Sequence, residues 1–171
     1  MKSIAYSHWR WMVRRHCIAL AALILFAALP AAAESGGMPR CFGRRATIVG
    51  TSGPDRLIGT PQRDVIVARG GADRIGASGG DDRICAGSGA DRVLAGSGSD
   101  LAQGGGNSDR LSGGSGRDVL NGGGNSDRLS GGSGNDRLSG GPGTNINAGG
   151  SGNDTCASPA PGQPGASNCE Q

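Results

Sequence analysis

The chain has 171 residues, 35 of them glycine and only 3% aromatic, with a formal net charge of +3 at pH 7. So few large apolar side chains exclude a conventional globular core; composition alone would describe a chain unable to offset its own conformational entropy. Four of the 17 basic residues (Lys2, Arg10, Arg14, Arg15) lie in the first 33 positions, so residues 34–171 carry 13 Arg against 14 acids, a net of −1, and overall basicity is no argument for a partner.

Residues 1–33 have the layout of a secretory signal peptide. A basic stretch precedes an apolar run of 13 residues, Cys17 to Leu29, and Ala31-Ala32-Ala33 supplies a cleavage site before Glu34. The run falls short of the ~20 residues that a spanning helix needs. No membrane span is expected after cleavage, and the localisation expected is secreted and extracellular, with cell-surface association left open. Residues 34–49 then form a short N-terminal cap, and residues 158–171 a Pro/Gly-rich tail.

Between them, residues 50–157 divide into twelve blocks of nine without insertion or deletion. They run from GTSGPDRLI, GTPQRDVIV and ARGGADRIG to GGSGNDRLS, GGPGTNINA and GGSGNDTCA. The sixth position is Asp in eleven blocks: Asp55, Asp64, Asp73, Asp82, Asp91, Asp100, Asp109, Asp118, Asp127, Asp136 and Asp154; Asn145 is the exception. The eighth is aliphatic in nine: Leu57, Ile66, Ile75, Ile84, Val93, Leu111, Leu120, Leu129 and Leu138. Glycine-rich positions one to six are expected to turn, because glycine adopts positive φ without steric cost. Positions seven to nine are expected to be a strand, with position eight inward and its neighbours outward. Two blocks then close one coil. The predicted fold is all-β, a right-handed parallel β-roll solenoid of about six 18-residue coils whose strands stack about 4.7 Å apart. Asp55, Asp73, Asp91, Asp109 and Asp127 fall along one edge with Asn145; Asp64, Asp82, Asp100, Asp118, Asp136 and Asp154 fall along the other.

The blocks resemble the nonapeptide G-G-x-G-x-D-x-U-x of RTX (haemolysin-type) proteins, with U a large apolar residue, over 108 of the 171 residues. The opening CFGRRATIVGTSGPDRLIGT is similar to that of small exported bacterial calcium-binding repeat proteins, in which Cys41 and Ile48 would begin the solenoid. The resemblance implies Ca²⁺ between adjacent turns of one edge, held by Asp carboxylates and backbone carbonyls of both turns. The chemistry agrees: carboxylates at strand spacing repel, and Ca²⁺ accepts six to eight oxygens in a flexible site, whereas Mg²⁺ demands strict octahedral geometry. Five gaps on each of two edges allow ten ions at most. Fewer are expected, since Gln62, Asn107 and Asn125 replace the fourth-position glycine, Ala68, Ala77, Ala86 and Ala95 the first, and Asn145 one carboxylate. The purest loops belong to Asp118, Asp136 and Asp154. The opposing expectation is that the aspartates only cap their own turns by local hydrogen bonds.

Cys41, Cys85, Cys156 and Cys169 allow three disulfide pairings, of which Cys41–Cys85 and Cys156–Cys169 are favoured. Arg56, Arg74, Arg92, Arg110 and Arg128 fall at position seven of odd-numbered blocks and would form an outward ladder on one sheet. Two roles follow for it: compensating nearby Asp charge and keeping the protein soluble, or binding cell-envelope polyanions. No aromatic residue interleaves the arginines, so nucleic acid is not expected. Both histidines, His8 and His16, lie in the first 33 residues, as does the only lysine. No block carries an insertion that could build a cleft, and an enzyme is not expected. The sequence thus points to an extracellular calcium-binding protein whose folding depends on calcium. The alternative is an adhesion or polyanion-binding protein in which calcium is structural.

Overall fold

The computed structural model describes residues 37–157 and the backbone of 166–168. All regular structure among them is β, and no helix there is long and apolar enough to cross a membrane. The expected signal segment, the start of the expected cap and most of the tail lie outside the described residues.

A short antiparallel hairpin comes first: β1 (Arg40–Cys41) pairs with β2 (Arg44–Arg45). Phe42 and Gly43 both take positive φ, 46° and 76°, the backbone of a two-residue hairpin turn whose twist matches the strands. The coils follow. One seven-stranded sheet stacks β3 (Ile48–Val49), β5 (Val65–Val67), β7 (Arg83–Ser88), β9 (Leu101–Gly106), β11 (Val119–Gly123), β13 (Arg137–Ser139) and β15 (Thr155–Ala157). The other stacks β4 (Arg56–Ile58), β6 (Arg74–Gly76), β8 (Arg92–Ser97), β10 (Arg110–Ser115), β12 (Arg128–Ser133), β14 (Ile146–Ser151) and β16 (Ala166–Asn168). Pairing is parallel and, from β3 to β15, in an 18-residue register, as in Leu111 opposite Val93 and Leu129, so consecutive blocks alternate between sheets and two blocks make a coil; β16 pairs with β14 outside that register, Ile146 opposite Ala166.

The core lies between the sheets. Ile66, Ile75, Ile84, Val93, Leu111, Leu120, Leu129 and Leu138, all at position eight, are at most 2% exposed. Each such side chain contributes about 1.5–3 kcal/mol when removed from water. The strands run further than the sequence predicts. In β7, β8, β10, β12 and β14 they continue through positions one to three of the next block. The pleat explains it: position one lies two residues past position eight, so it points inward as well. Ala68, Ala77, Ala86 and Ala95 are therefore not damaged turn glycines but fully buried core residues, each 0% exposed.

The Cys41–Cys85 disulfide fastens the hairpin to β7, as the sequence favoured. Cys156 is also disulfide-bonded; its expected partner, Cys169, lies outside the described residues.

Candidate metal centres

The turns are narrower than the six residues expected. Two of their positions, the second and fourth, carry left-handed backbone. At Gly114 and Gly116 φ is 118° and 122°, and a Cβ at either would collide with the carbonyl of the coil before it, Gly96 or Gly98. At those φ values the stacked coils leave no room for a side chain, whereas Arg69 and Ser78 hold position two at φ 77° and 80°. Asn107 and Asn125 take the fourth position at φ 74° and 76°, the conformation asparagine tolerates best among non-glycine residues. Gln62, the other expected departure, lies in a turn of a different kind.

The first two turns close themselves. The Thr51 amide and hydroxyl donate to Asp55 Oδ2 at 2.6 and 3.0 Å, and those of Thr60 donate to Asp64 Oδ2 at 2.7 and 2.9 Å. These two aspartates are the local turn caps of the opposing expectation. Position two there is threonine rather than glycine, a signal present in the sequence that motif reading passed over.

From Asp73 onward the arrangement changes. Each Oδ1 accepts the backbone N–H of the aspartate 18 residues earlier, as Asp118 does from Asp100 and Asp136 from Asp118, both at 2.9 Å. The caps therefore run between coils rather than within a turn. Oδ2 is different. In Asp73, Asp82, Asp91, Asp100, Asp109, Asp118, Asp127, Asp136 and Asp154 it is buried and has no hydrogen-bond partner. Where position one of these blocks is glycine, the carboxylate lies over it; a Cβ at Gly113 would collide with Asp118 Oδ2. Burial pushes the Asp109 carboxyl up to about 7, and those of Asp82 and Asp118 up to about 6, against the lowering effect of the backbone hydrogen bond. Burial also raises Asp73, Asp91, Asp100, Asp127 and Asp136. A buried anionic oxygen without a partner costs several kcal/mol, so such a group must gain a proton or a cation.

Asn145 reveals what surrounds that oxygen. Its Oδ1 accepts the Asp127 N–H at 2.7 Å, as an aspartate would. Its Nδ2 donates to the carbonyls of Gly141 at 2.7 Å and Gly143 at 3.5 Å. The carbonyls of positions two and four thus face the outer atom of the sixth side chain. In an acidic turn the same geometry joins a carboxylate oxygen to two carbonyl oxygens, an all-oxygen set suited to a hard cation. No three carboxylate, imidazole or thiol side chains converge among the described residues, so backbone carbonyls would have to complete the shell. The residues fit Ca²⁺ on these terms. Asp118, Asp136 and Asp154, the purest loops, all carry the unpartnered oxygen; Asp55 and Asp64 do not.

The arginine ladder stands on the second sheet as expected. Arg56, Arg74, Arg92, Arg110 and Arg128 are direct register partners and all exposed; Ile146 continues the row. None of the five is in an ion pair with a column aspartate. The one ion pair among the described residues is Arg63–Asp81 at 2.9 Å, on the surface. A shallow groove of about 360 Å³ opens over Gly76, between Ile58 and Leu94 and beside Arg56, Arg74 and Arg92.

No curated protein and no solved structure matches the chain. A family model does: that of the RTX calcium-binding nonapeptide repeat (4 copies) matches residues 49–84, 86–120 and 121–156. Those spans cover the stacked turns and their unpartnered carboxylates, and with more than half of its length matched the chain belongs to the RTX calcium-binding nonapeptide repeat family.

Proposed function

We propose that this protein is an extracellular, non-enzymatic calcium binder whose β-roll is completed by the ions it takes up. The observation that carries the proposal is the row of nine buried Oδ2 atoms without a partner. Without a cation, adjacent carboxylates of a column oppose folding; with one, the same oxygens hold neighbouring coils together. Because the site exists only once two coils have stacked, binding free energy is folding free energy. Asp73, Asp82, Asp91, Asp100, Asp109, Asp118, Asp127, Asp136 and Asp154 would supply the carboxylates. Asp55 and Asp64, satisfied by Thr51 and Thr60, take no part, so the number of ions falls below ten. Affinity in the extracellular range, about 10⁻⁴ to 10⁻³ M, is expected. The signal-like residues 1–33 and the disulfides at Cys41–Cys85 and Cys156 support an oxidising location outside the cytoplasm.

The test is far-UV circular dichroism of residues 34–171, disulfides intact, titrated with Ca²⁺ and separately with Mg²⁺. A cooperative gain of β signal with Ca²⁺ alone is expected. A full β spectrum in chelator, unchanged by Ca²⁺, would refute calcium-dependent folding.

The unpaired guanidinium row favours a second function, retention on cell-envelope polyanions with calcium as structural support. Replacing Arg74, Arg92 and Arg110 by Ser should abolish salt-sensitive retention on heparin while leaving the calcium titration unchanged. Equal retention of the variant would remove this reading.

A further inference from the structure

Twelve turns repeat in sequence, ten of them with left-handed backbone at positions two and four, yet the outer atom of the sixth side chain meets three different fates. In nine turns it is an unpartnered carboxylate oxygen. In two it is a carboxylate oxygen closed by threonine donors. In one, the turn of Asn145, it is a nitrogen carrying two hydrogens that reach the Gly141 and Gly143 carbonyls. Resting on the calcium reading above, we infer that the Asn145 amide is a built-in substitute for a cation, so that this turn is closed by the protein itself and takes no ion.

The geometry carries the inference. Asn145 is 2% exposed and keeps the Oδ1 contact that the aspartates make between coils. A Cβ at Gly140 would collide with Nδ2 at 2.6 Å, as one at Gly113 would with Asp118 Oδ2, so nitrogen and carboxylate oxygen occupy equivalent places. A cation there would meet two N–H hydrogens instead of a negative oxygen and would be repelled. Conversely, the amide supplies the carbonyls of its own turn with a donor. The turn follows Asp109 and Asp127 on the same edge, so that column ends on a group carrying no charge. The other column continues to Asp154. The two edges therefore differ in calcium demand: one is charged to its last described turn, and the other is sealed at its last turn by the Asn145 hydrogen bonds, its charge ending one coil earlier at Asp127.

The experiment pairs two reciprocal substitutions in the full chain with disulfides intact. Bound calcium per chain is counted by equilibrium dialysis at saturating Ca²⁺, and backbone protection of residues 140–147 is followed by hydrogen exchange. Asn145→Asp, which exchanges one amide for one carboxylate, should bind one more ion per chain than the native protein. Protection of 140–147 should then depend more steeply on calcium. Asp118→Asn should do the opposite, losing one ion and ordering residues 113–120 at lower calcium. Unchanged ion counts in both variants, with the native chain binding calcium, would overturn the role given to Asn145. Failure of the native chain itself to bind calcium would instead overturn the calcium reading. Should Asn145→Asp not fold, Asp118→Asn decides alone: a retained ion count refutes the inference.

Discussion

The first three coils and those that follow repeat the same nine-residue period but are filled in different ways. Early coils stack Ile66, Ile75, Ile84 and Val93 beside Ala68, Ala77, Ala86 and Ala95, all buried. They are tied to the hairpin by Cys41–Cys85, and their first two turns are closed by Thr51 and Thr60. Later coils stack Leu111, Leu120, Leu129 and Leu138 beside Gly104, Gly113, Gly122 and Gly131, where a methyl would collide with the carboxylate of Asp109, Asp118, Asp127 or Asp136. An alanine methyl contributes apolar burial; a glycine leaves that volume to a charged oxygen. The contrast teaches that a repeat can keep its backbone while its first position passes from a packed methyl to an open volume beside a carboxylate; the unpartnered carboxylates themselves, from Asp73 to Asp154, run through both regions.

The largest effect expected to break this contrast is that of pH on the metal-free protein, because it acts on eight carboxyls at once. Burial raises their folded-state values, up to about 7 for Asp109 and about 6 for Asp82 and Asp118. The folded chain then holds more protons than the unfolded chain between the ordinary carboxylate range and neutrality, so stability falls as pH rises through that window. In metal-depleted buffer the β signal should be stronger and melt later at pH 5 than at pH 8. A melting point that rises with pH would contradict the burial of these groups.

Next in size is the covalent tie. Cys41–Cys85 spans 44 residues, and closing a loop of that length is worth about 4 kcal/mol in the chain-entropy model. Cys41→Ser with Cys85→Ser should lower the melting temperature. Hydrogen exchange should rise first in residues 40–58 and leave the coils of Leu120 and Leu129 least affected. Uniform loss along the chain would erase the distinction between early and late coils.

Gly114→Ala comes third. Left-handed backbone costs a non-glycine residue about 1–2 kcal/mol, and the collision of the new Cβ with Gly96 O adds to it. A rise in the calcium midpoint of the circular dichroism titration is expected, against little change for Asn107→Gly, where the side chain is already in left-handed backbone and exposed. The smallest effect is that of Ala95→Gly, which removes one buried methyl worth about 0.8 kcal/mol. It should lower the thermal midpoint of the early coils slightly without reducing the number of ions bound.

Much of this was legible in the residues. The period of nine is covalent, and the alternation of a strand is steric. Together they determined the 18-residue coil, the inward eighth position, the Asp columns and the outward row of Arg56, Arg74, Arg92, Arg110 and Arg128. Pairing of Cys41 with Cys85 was favoured among three choices and required the fold to decide. What the motif hid is the inward first position: Ala86 and Ala95 look like lost glycines in a pattern and prove to be core, since the glycine-rich consensus does not distinguish a residue needing positive φ from one needing only a small side chain. Thr51 and Thr60 were hidden likewise.

Sequence by itself determined which side chains repeat and which face of a strand they take, because both follow from spacing along one chain. Only the tertiary structure decided what each of them meets. Asp118 finds its cap on Asp100, 18 residues away, its Oδ2 is left bare, and the amide of Asn145 turns onto Gly141 and Gly143. Those partners are set by how closely coils stack and how much volume position one leaves, quantities that no single nonapeptide contains.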